Sequence, residues 1–246
     1  MAKAPQAEQL RLLDLQAQDS KLNQLQRQAA AVRANPELTV LAGQVAAADS
    51  ELVTAATHLS DAERVLVRAE DDVQAVVTRL ERDEQRLNSG TGSSKDLTAL
   101  QSEVASLTRR RSDLEDIELE VMERVEAART ARDELQKRSE SVRIQLQQLE
   151  GTRDEELARI DAERAEVQAE RDRLAAAFDP ALLAIYERTL AKRGVGAARL
   201  FHGRSEGSGM QLSPGDLADI SRAADDDVVF CPDSGCILVR SAEWGN

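Results

Sequence analysis

The sequence predicts a mainly α protein. A long antiparallel coiled-coil hairpin is expected over residues 6–178, followed by a small α+β domain over 179–246. Three observations carry this prediction. Leu38, Leu41, Val45, Ala48, Leu52, Ala55, Leu59, Ala62, Leu66, Ala69, Val73, Val76, Leu80, Asp83 and Leu87 recur at alternating steps of three and four. Only Asp83 is polar, and such a repeat keeps one narrow stripe facing a partner helix. A run of turn formers, Asn88-Ser-Gly-Thr-Gly-Ser-Ser94, then interrupts the helix before a second heptad series begins. Beyond Phe178 the heptads stop and short segments punctuated by Gly and Pro take over. Aromatic residues make up only 2% of the chain while charged residues reach 31%, so most of it buries a thin seam.

Residues before Gln6 are expected to fray. The first helical stripe is Leu15, Gln18, Leu22, Leu25, Ala29 and Val32, and it stops at Asn35-Pro36. Asn suits an N-cap and Pro a first helical position, so one helix ends and the next starts there. The step from Val32 to Leu38 fits neither three nor four, which predicts a kink near 33–37. The tip loop is placed at 89–94. Ser93 with Asp96 three residues on reads as a capping box opening the next helix. That helix carries Leu100, Leu107, Leu114, Val121, Ala128, Leu135, Val142 and Leu149 every seven residues. Its other seam position is weaker and includes Arg111, Glu118 and Arg132. The phase slips again at Gly151, where a second kink is expected. Folding back about Thr91 sets Gly151 opposite Ala31 and Pro36 opposite Leu146, so the two register changes fall at nearly the same height. One intramolecular hairpin explains that coincidence, and the chain is read as a monomer in preference to a homodimer or four-helix assembly.

The C-terminal segments are a helix from Pro180 to about Lys192, strands at 197–202 and 209–212, a helix from Pro214 to about Arg222, and strands at 227–230 and 236–240. Two strand pairs with a helix between them form a domain of about 50 residues, a size that usually needs a metal or a disulfide.

The net charge of -13 argues against a general nucleic-acid binder. No run is long and apolar enough to span a bilayer, and MAKAPQAEQL lacks the apolar core of a signal peptide. Two cysteines without an export signal fit a reducing cytoplasm. No catalytic constellation is found. The two histidines, His58 and His202, have no recognisable Ser or Cys partner, and the glycines at 203, 207 and 209 do not open a helix after a strand as a phosphate loop must. The chain is therefore read as a non-enzyme. Arg109, Arg110 and Arg111 form a basic cluster below the tip, a candidate contact for an acidic protein or for RNA phosphates.

FDPALLAIYERTLAKR, a glycine link, MQLSP, a small helix and VVFCPDSGCILVR, together with SSKDLTALQSEV after the tip, carry a resemblance. They are similar to bacterial coiled-coil hairpin proteins with a C-terminal C4 zinc ribbon, a family that includes FlgZ-like flagellar regulators and is often described as nucleic-acid-binding. The chain resembles a divergent, actinobacterial-type member, and the last domain becomes zinc-ribbon-like on this basis. The family's ribbon holds zinc through two CxxC knuckles. At the matching positions this sequence has Ser205, Ser208, Cys231 and Ser234, with Cys236 two residues further on.

Serine hydroxyls are poor zinc ligands, since their pKa lies far above that of a thiol. The reading adopted is a ribbon with no cofactor, free of zinc, whose serines hydrogen-bond across the old site. Cys236 is expected to point along its strand, away from the knuckle. The alternatives are residual metal held by Cys231, Cys236, His202 and a carboxylate such as Glu206, or a Cys231–Cys236 disulfide. The functional expectation is a cytoplasmic adaptor that binds protein partners through helix-face or helix-in-groove contacts and through the ribbon, with no membrane contact. The alternative is an RNA- or DNA-binding regulator of zinc-ribbon ancestry. The resemblance points to transcription or secretion machinery as partners.

Overall fold

The computed structural model describes residues 3–241 and Trp244. The last residues of the expected 179–246 domain (242, 243, 245 and 246) lie outside the described residues, as do Met1 and Ala2 of the expected frayed end. Three long helices build the hairpin: α1 (Gln6–Arg33), α2 (Pro36–Ser89) and α3 (Ser94–Ala175). Among the described residues no helix is long and apolar enough to cross a membrane. The chain divides into two compact units. One is Pro36–Glu150; the other joins the residues up to Asn35 with those from Gly151 onward.

In the first unit α2 packs antiparallel on the leading part of α3. Every position of the Leu38–Leu87 stripe is buried or half-buried, Asp83 included. Asp83 keeps its charge company from Arg79 and Arg86, each 3.9 Å away on its own helix. The tip turns at Gly90 and Gly92, both at positive φ. The expected capping box forms there: Asp96 N–H donates to Ser93 Oγ (3.3 Å), and Ser93 N–H donates back to Asp96 Oδ2 (3.1 Å). Near the tip the Arg79–Glu103 bond (2.6 Å) keeps the register expected from folding about Thr91, but further from the tip the cross-helix bonds run ahead of it. Asp49 would then lie level with Asp133, yet it accepts from the buried Ser139 at 2.7 Å and from Arg143 at 3.0 Å. Helical side chains lean toward their own N-terminus, so facing side chains meet beyond the level set by backbone counting.

Gly151 sits inside α3, exposed and helical, so the slip in the stripe is not a chain break. The break on the other strand of the hairpin is real in that α1 ends at Arg33 and Ala34 caps it, its N–H bonding Ala30 O at 3.0 Å.

The second unit pairs α1 with the end of α3 and adds α4 (Pro180–Arg193), α5 (Pro214–Arg222) and a sheet. Asp179 caps α4 through Ala181 N (2.9 Å) and Leu182 N (3.3 Å), and Gly194 ends it in the left-handed conformation. The strands are β1 (Ala197–Phe201), β2 (Arg204–Ser205), β3 (Val229–Phe230) and β4 (Ile237–Arg240). Instead of two separate pairs they form one sheet, ordered β2-β1-β4-β3, with β1 and β4 parallel at the centre. The strand expected at 209–212 shrinks to a single Arg204–Gln211 bridge, because the chain turns tightly between Ser205 and Gly209 and β1 pairs with β2 instead.

Alternating residues of β1 and β4 feed two cores, as pleating requires. Ala197, Ile237 and Val239 face Leu12, Leu15, Phe178, Leu182 and Tyr186 of the helices. Ala198, Leu200 and Leu238 face Leu212, Ile220, Cys231 and Cys236 on the α5 side. The sheet is thus covered on both faces. Residues 3–5 do not fray: Ala4 is buried, its N–H bonds Asp226 O at 2.8 Å, and Lys3 bridges to Asp227.

Candidate functional site

Two tight turns, one from each end of the sheet, bring the five knuckle residues together. In the first, Ser205 N–H bonds Met210 O (3.0 Å) and Gly209 N–H bonds Ser205 O (2.8 Å). In the second, Cys231 N–H bonds Cys236 O (2.8 Å) and Gly235 N–H bonds Cys231 O (2.9 Å), with Gly235 at φ 72. Positive φ is where glycine costs least, which suits CPDSGC to this turn. Ser205, Cys231 and Cys236 are buried. Cys236 does not point away from the knuckle as expected: Ser234 Oγ donates to its sulfur at 3.1 Å, and a Cβ on Gly207 would sit 2.7 Å from that sulfur. Paired directly across from Cys231, Cys236 sends its side chain to the same face of the sheet. Cys231 Sγ lies 3.9 Å from Ser208 Oγ.

The two thiols are unlike. Burial opposes ionisation of Cys231, but hydrogen bonds from Ser205, from Ser234 and from the Asp233 backbone outweigh it and hold this thiol below its ordinary pKa. Burial pushes Cys236 up, and the neighbouring Cys231 adds to the rise against the bond from Ser234. Titration of the thiolate ultraviolet absorbance is therefore expected to show two steps, one below and one above the ordinary thiol range. Cys231→Ser should remove the lower step; loss of the upper one instead would contradict the assignment.

A tetrahedral zinc site needs four soft or imidazole donors. The knuckle offers two thiols and three alcohols, one of which is spent on Cys236. His202 takes a positive φ of 46 in the β1–β2 turn with its ring against Phe201, and Glu206 accepts from Arg199 at 2.6 and 3.1 Å. The structure does not gather Cys231, Cys236, His202 and Glu206 into one set, and no group of three or more His, Cys, Asp or Glu could hold a metal ion among the described residues. The donor set does not fit zinc. Both cysteines are free thiols.

Of the basic cluster, Arg109, Arg110 and Arg111 are all exposed on α3. Arg111 is not a seam residue: it pairs with Glu115 at 2.7 Å on the helix surface, where a guanidinium stays hydrated. His58 is exposed. Two features escaped the sequence reading. Between α5 and β3 a trough of about 290 Å³ is lined by Asp216, Asp219, Ile220, Val229, Phe230 and Pro232 among others. Arg240 of β4, buried, donates to four carbonyl oxygens of the chain leading from α5 into β3. The only signal for the trough was Phe230, an aromatic in a chain almost without them.

Residues 15–194 match the family model of the CT398-like coiled coil hairpin domain, and residues 204–238 match that of the C4-type zinc ribbon domain. The uncharacterized protein Rv2229c of Mycobacterium tuberculosis is 35% identical over 238 residues, 97% of each chain. A Mycobacterium leprae relative, also uncharacterized, is 34% identical over 197 residues, 77% of this chain and 82% of that one. A solved structure from Mycobacterium smegmatis superimposes with a TM-score of 0.81 at 31% identity, covering 97% of this chain and 100% of that one. CT398 from Chlamydia trachomatis, at 18% identity and a TM-score of 0.62 over 96% of this chain and 98% of its own, shares the fold. The chain belongs to the CT398-like coiled-coil hairpin family, with a C-terminal zinc-ribbon domain that keeps only two cysteines.

Proposed function

We propose that the protein is a non-enzymatic adaptor, a cytoplasmic monomer that binds protein partners through its coiled-coil hairpin and through a metal-free ribbon. The observation that carries this reading is the two-sided core of the sheet. Where a free-standing ribbon needs zinc to replace a missing core, α1, α4 and the end of α3 cover one face here and α5 the other. The serines then supply hydrogen bonds where thiolates would have supplied metal ligands. What remains for function is surface: exposed helix faces with Arg109–Arg111, and an acidic ribbon.

Two measurements test the reading. Elemental analysis of protein purified without chelator is expected to find far less than one zinc per chain, and a strong chelator should leave the melting temperature unchanged; stoichiometric zinc would overturn the metal-free ribbon. Cross-linking capture from native lysate should recover discrete proteins whose recovery falls when Arg109, Arg110 and Arg111 are changed to Glu or when the ribbon surface is altered. Recovery of RNA instead, with generic RNA bound at low salt and released as salt rises, would replace the adaptor by a nucleic-acid binder.

A further inference from the structure

The sheet ends at β3, and this edge has the features of a peptide-binding site. In antiparallel pairing, hydrogen-bonded and non-hydrogen-bonded pairs alternate. Cys231 and Cys236 form a hydrogen-bonded pair, so the next pair, Phe230 with Ile237, is not one. Consistent with this, Ile237 N–H is used on the other side, bonding Gly196 O at 2.9 Å. The N–H and C=O of Phe230 therefore project outward from the sheet. Beside them runs the trough between α5 and β3, floored by Ile220, Ala223, Val228 and Val229 and bordered by Asp216 and Asp219. The Phe230 ring, 45% exposed, stands at its edge.

The chain itself shows what this region accepts. Its own N-terminal segment makes an antiparallel bridge at Asp227, two residues before β3, and the Lys3 ammonium reaches Asp226 at 3.0 Å and Asp227 at 3.9 Å. A basic residue in extended chain is thus already held by backbone pairing plus carboxylates. Past that bridge, carboxylates continue at Asp216, at Asp219, which pairs with Arg222 on its own helix, and at Asp233; among the described residues no extended segment lies opposite them.

We propose that the β3 edge and the α5–β3 trough bind an extended basic segment of a partner protein, which adds as a strand beside Phe230, drops one apolar side chain into the trough and sets Lys or Arg against Asp216 and Asp219. This deepens the adaptor reading and rests on it. Strand addition gives affinity through the backbone, and the pocket and the charges give selectivity. A second copy of this chain is a poor occupant, since its own edge, Asp227-Val-Val-Phe-Cys-Pro-Asp233, would bring carboxylates onto carboxylates. Nucleic-acid phosphates meet the same repulsion.

The test is fluorescence anisotropy of labelled acetyl-Lys-Val-Lys-Phe-Lys-Val-Lys-amide with the full-length protein. Saturable binding is expected, weakened at least about tenfold by Phe230→Ser and by the pair Asp216→Lys and Asp219→Lys, and unchanged by His58→Ala on the hairpin. Phe230 is half-exposed, so its replacement should leave the melting curve in place and the loss readable as lost binding. The proposal fails if no saturation is reached at millimolar peptide, if the same peptide with Glu for Lys binds equally, or if neither variant weakens binding. It also fails if sedimentation shows a dimer that Phe230→Ser dissolves, which would make a second copy the occupant. Failure here with protein capture retained removes only the trough; loss of all protein capture removes the adaptor reading.

Discussion

Asp19→Ala is expected to destabilise the ribbon-bearing unit by about 3–5 kcal/mol, because it breaks a buried charge pair and leaves the partner uncompensated. Asp19 sits inside the seam of α1, where it accepts from Tyr186 Oη at 2.7 Å and from Arg171 Nε at 3.1 Å. Arg171 also bonds Glu187, and its side chain is only 15% exposed. Burial works against the charge on Arg171, yet its bonds to Glu187 and Asp19 keep its pKa above the ordinary value. Burial and the bond to Asp19 likewise push the Tyr186 phenol well upward, so Tyr186 stays a neutral donor. This network joins α1, α3 and α4 at one point, beneath Gly196, where a Cβ would run into the Tyr186 ring. Urea unfolding checks the expectation. Tyr186→Phe should cost only about 1–2 kcal/mol, the scale of one buried hydrogen bond. An Asp19→Ala loss no larger than that would show that the ion pair contributes little.

Asp19 also marks where sequence reading gave out. The long stripe from Leu38 to Leu87 was legible to the residue, since heptad spacing alone decides which face meets a partner helix. The cap at Ser93 was legible for a similar reason: a local hydrogen bond has a local signature. In α1 the stripe was assigned through Gln18, and the structure buries Asp19 instead. Nothing local distinguishes a carboxylate waiting for Arg171 and Tyr186, more than 150 positions away, from one facing water. The parallel pairing of β1 with β4 escaped for the same cause. Two short strands that each belong to a hairpin carry no mark of joining across the α5 connection, and only the coverage of both faces by helices makes the merged sheet favourable. At the knuckle, family resemblance named residues that the two turns bring together. The inward turn of Cys236 was not legible, because it depends on Cys236 pairing with Cys231 across the turn at Gly235.

Arg240→Met is expected to cost on the order of 3 kcal/mol, and to reach the surface where binding is proposed. In sequence Arg240 ends a strand and looks like an ordinary surface cation. In the structure it is buried, and its guanidinium donates to Ala223 O (3.0 Å), Ala224 O (2.6 Å), Asp225 O (3.1 Å) and Asp227 O (3.1 Å). Two of these acceptors lie just past the end of α5, where a helix presents unpaired carbonyls and favours a cation. The other two belong to the connection that carries the chain into β3. One planar group therefore fixes the spacing of α5 and β3, the two walls of the trough. Methionine matches the aliphatic stem but takes the guanidinium from all four oxygens, of which Ala224 O keeps the Asp227 N–H (3.0 Å) and Asp225 O the Gln9 side-chain amide (3.3 Å). Lysine keeps the charge with a single nitrogen that cannot span the same fan of acceptors, so Arg240→Lys should recover only part of the loss. Thermal unfolding measures the stability term. Amide exchange supplies the sharper check, since protection should fall first at residues 223–230 and remain in α2; a uniform loss across the chain would mean that Arg240 stabilises the fold without shaping the trough.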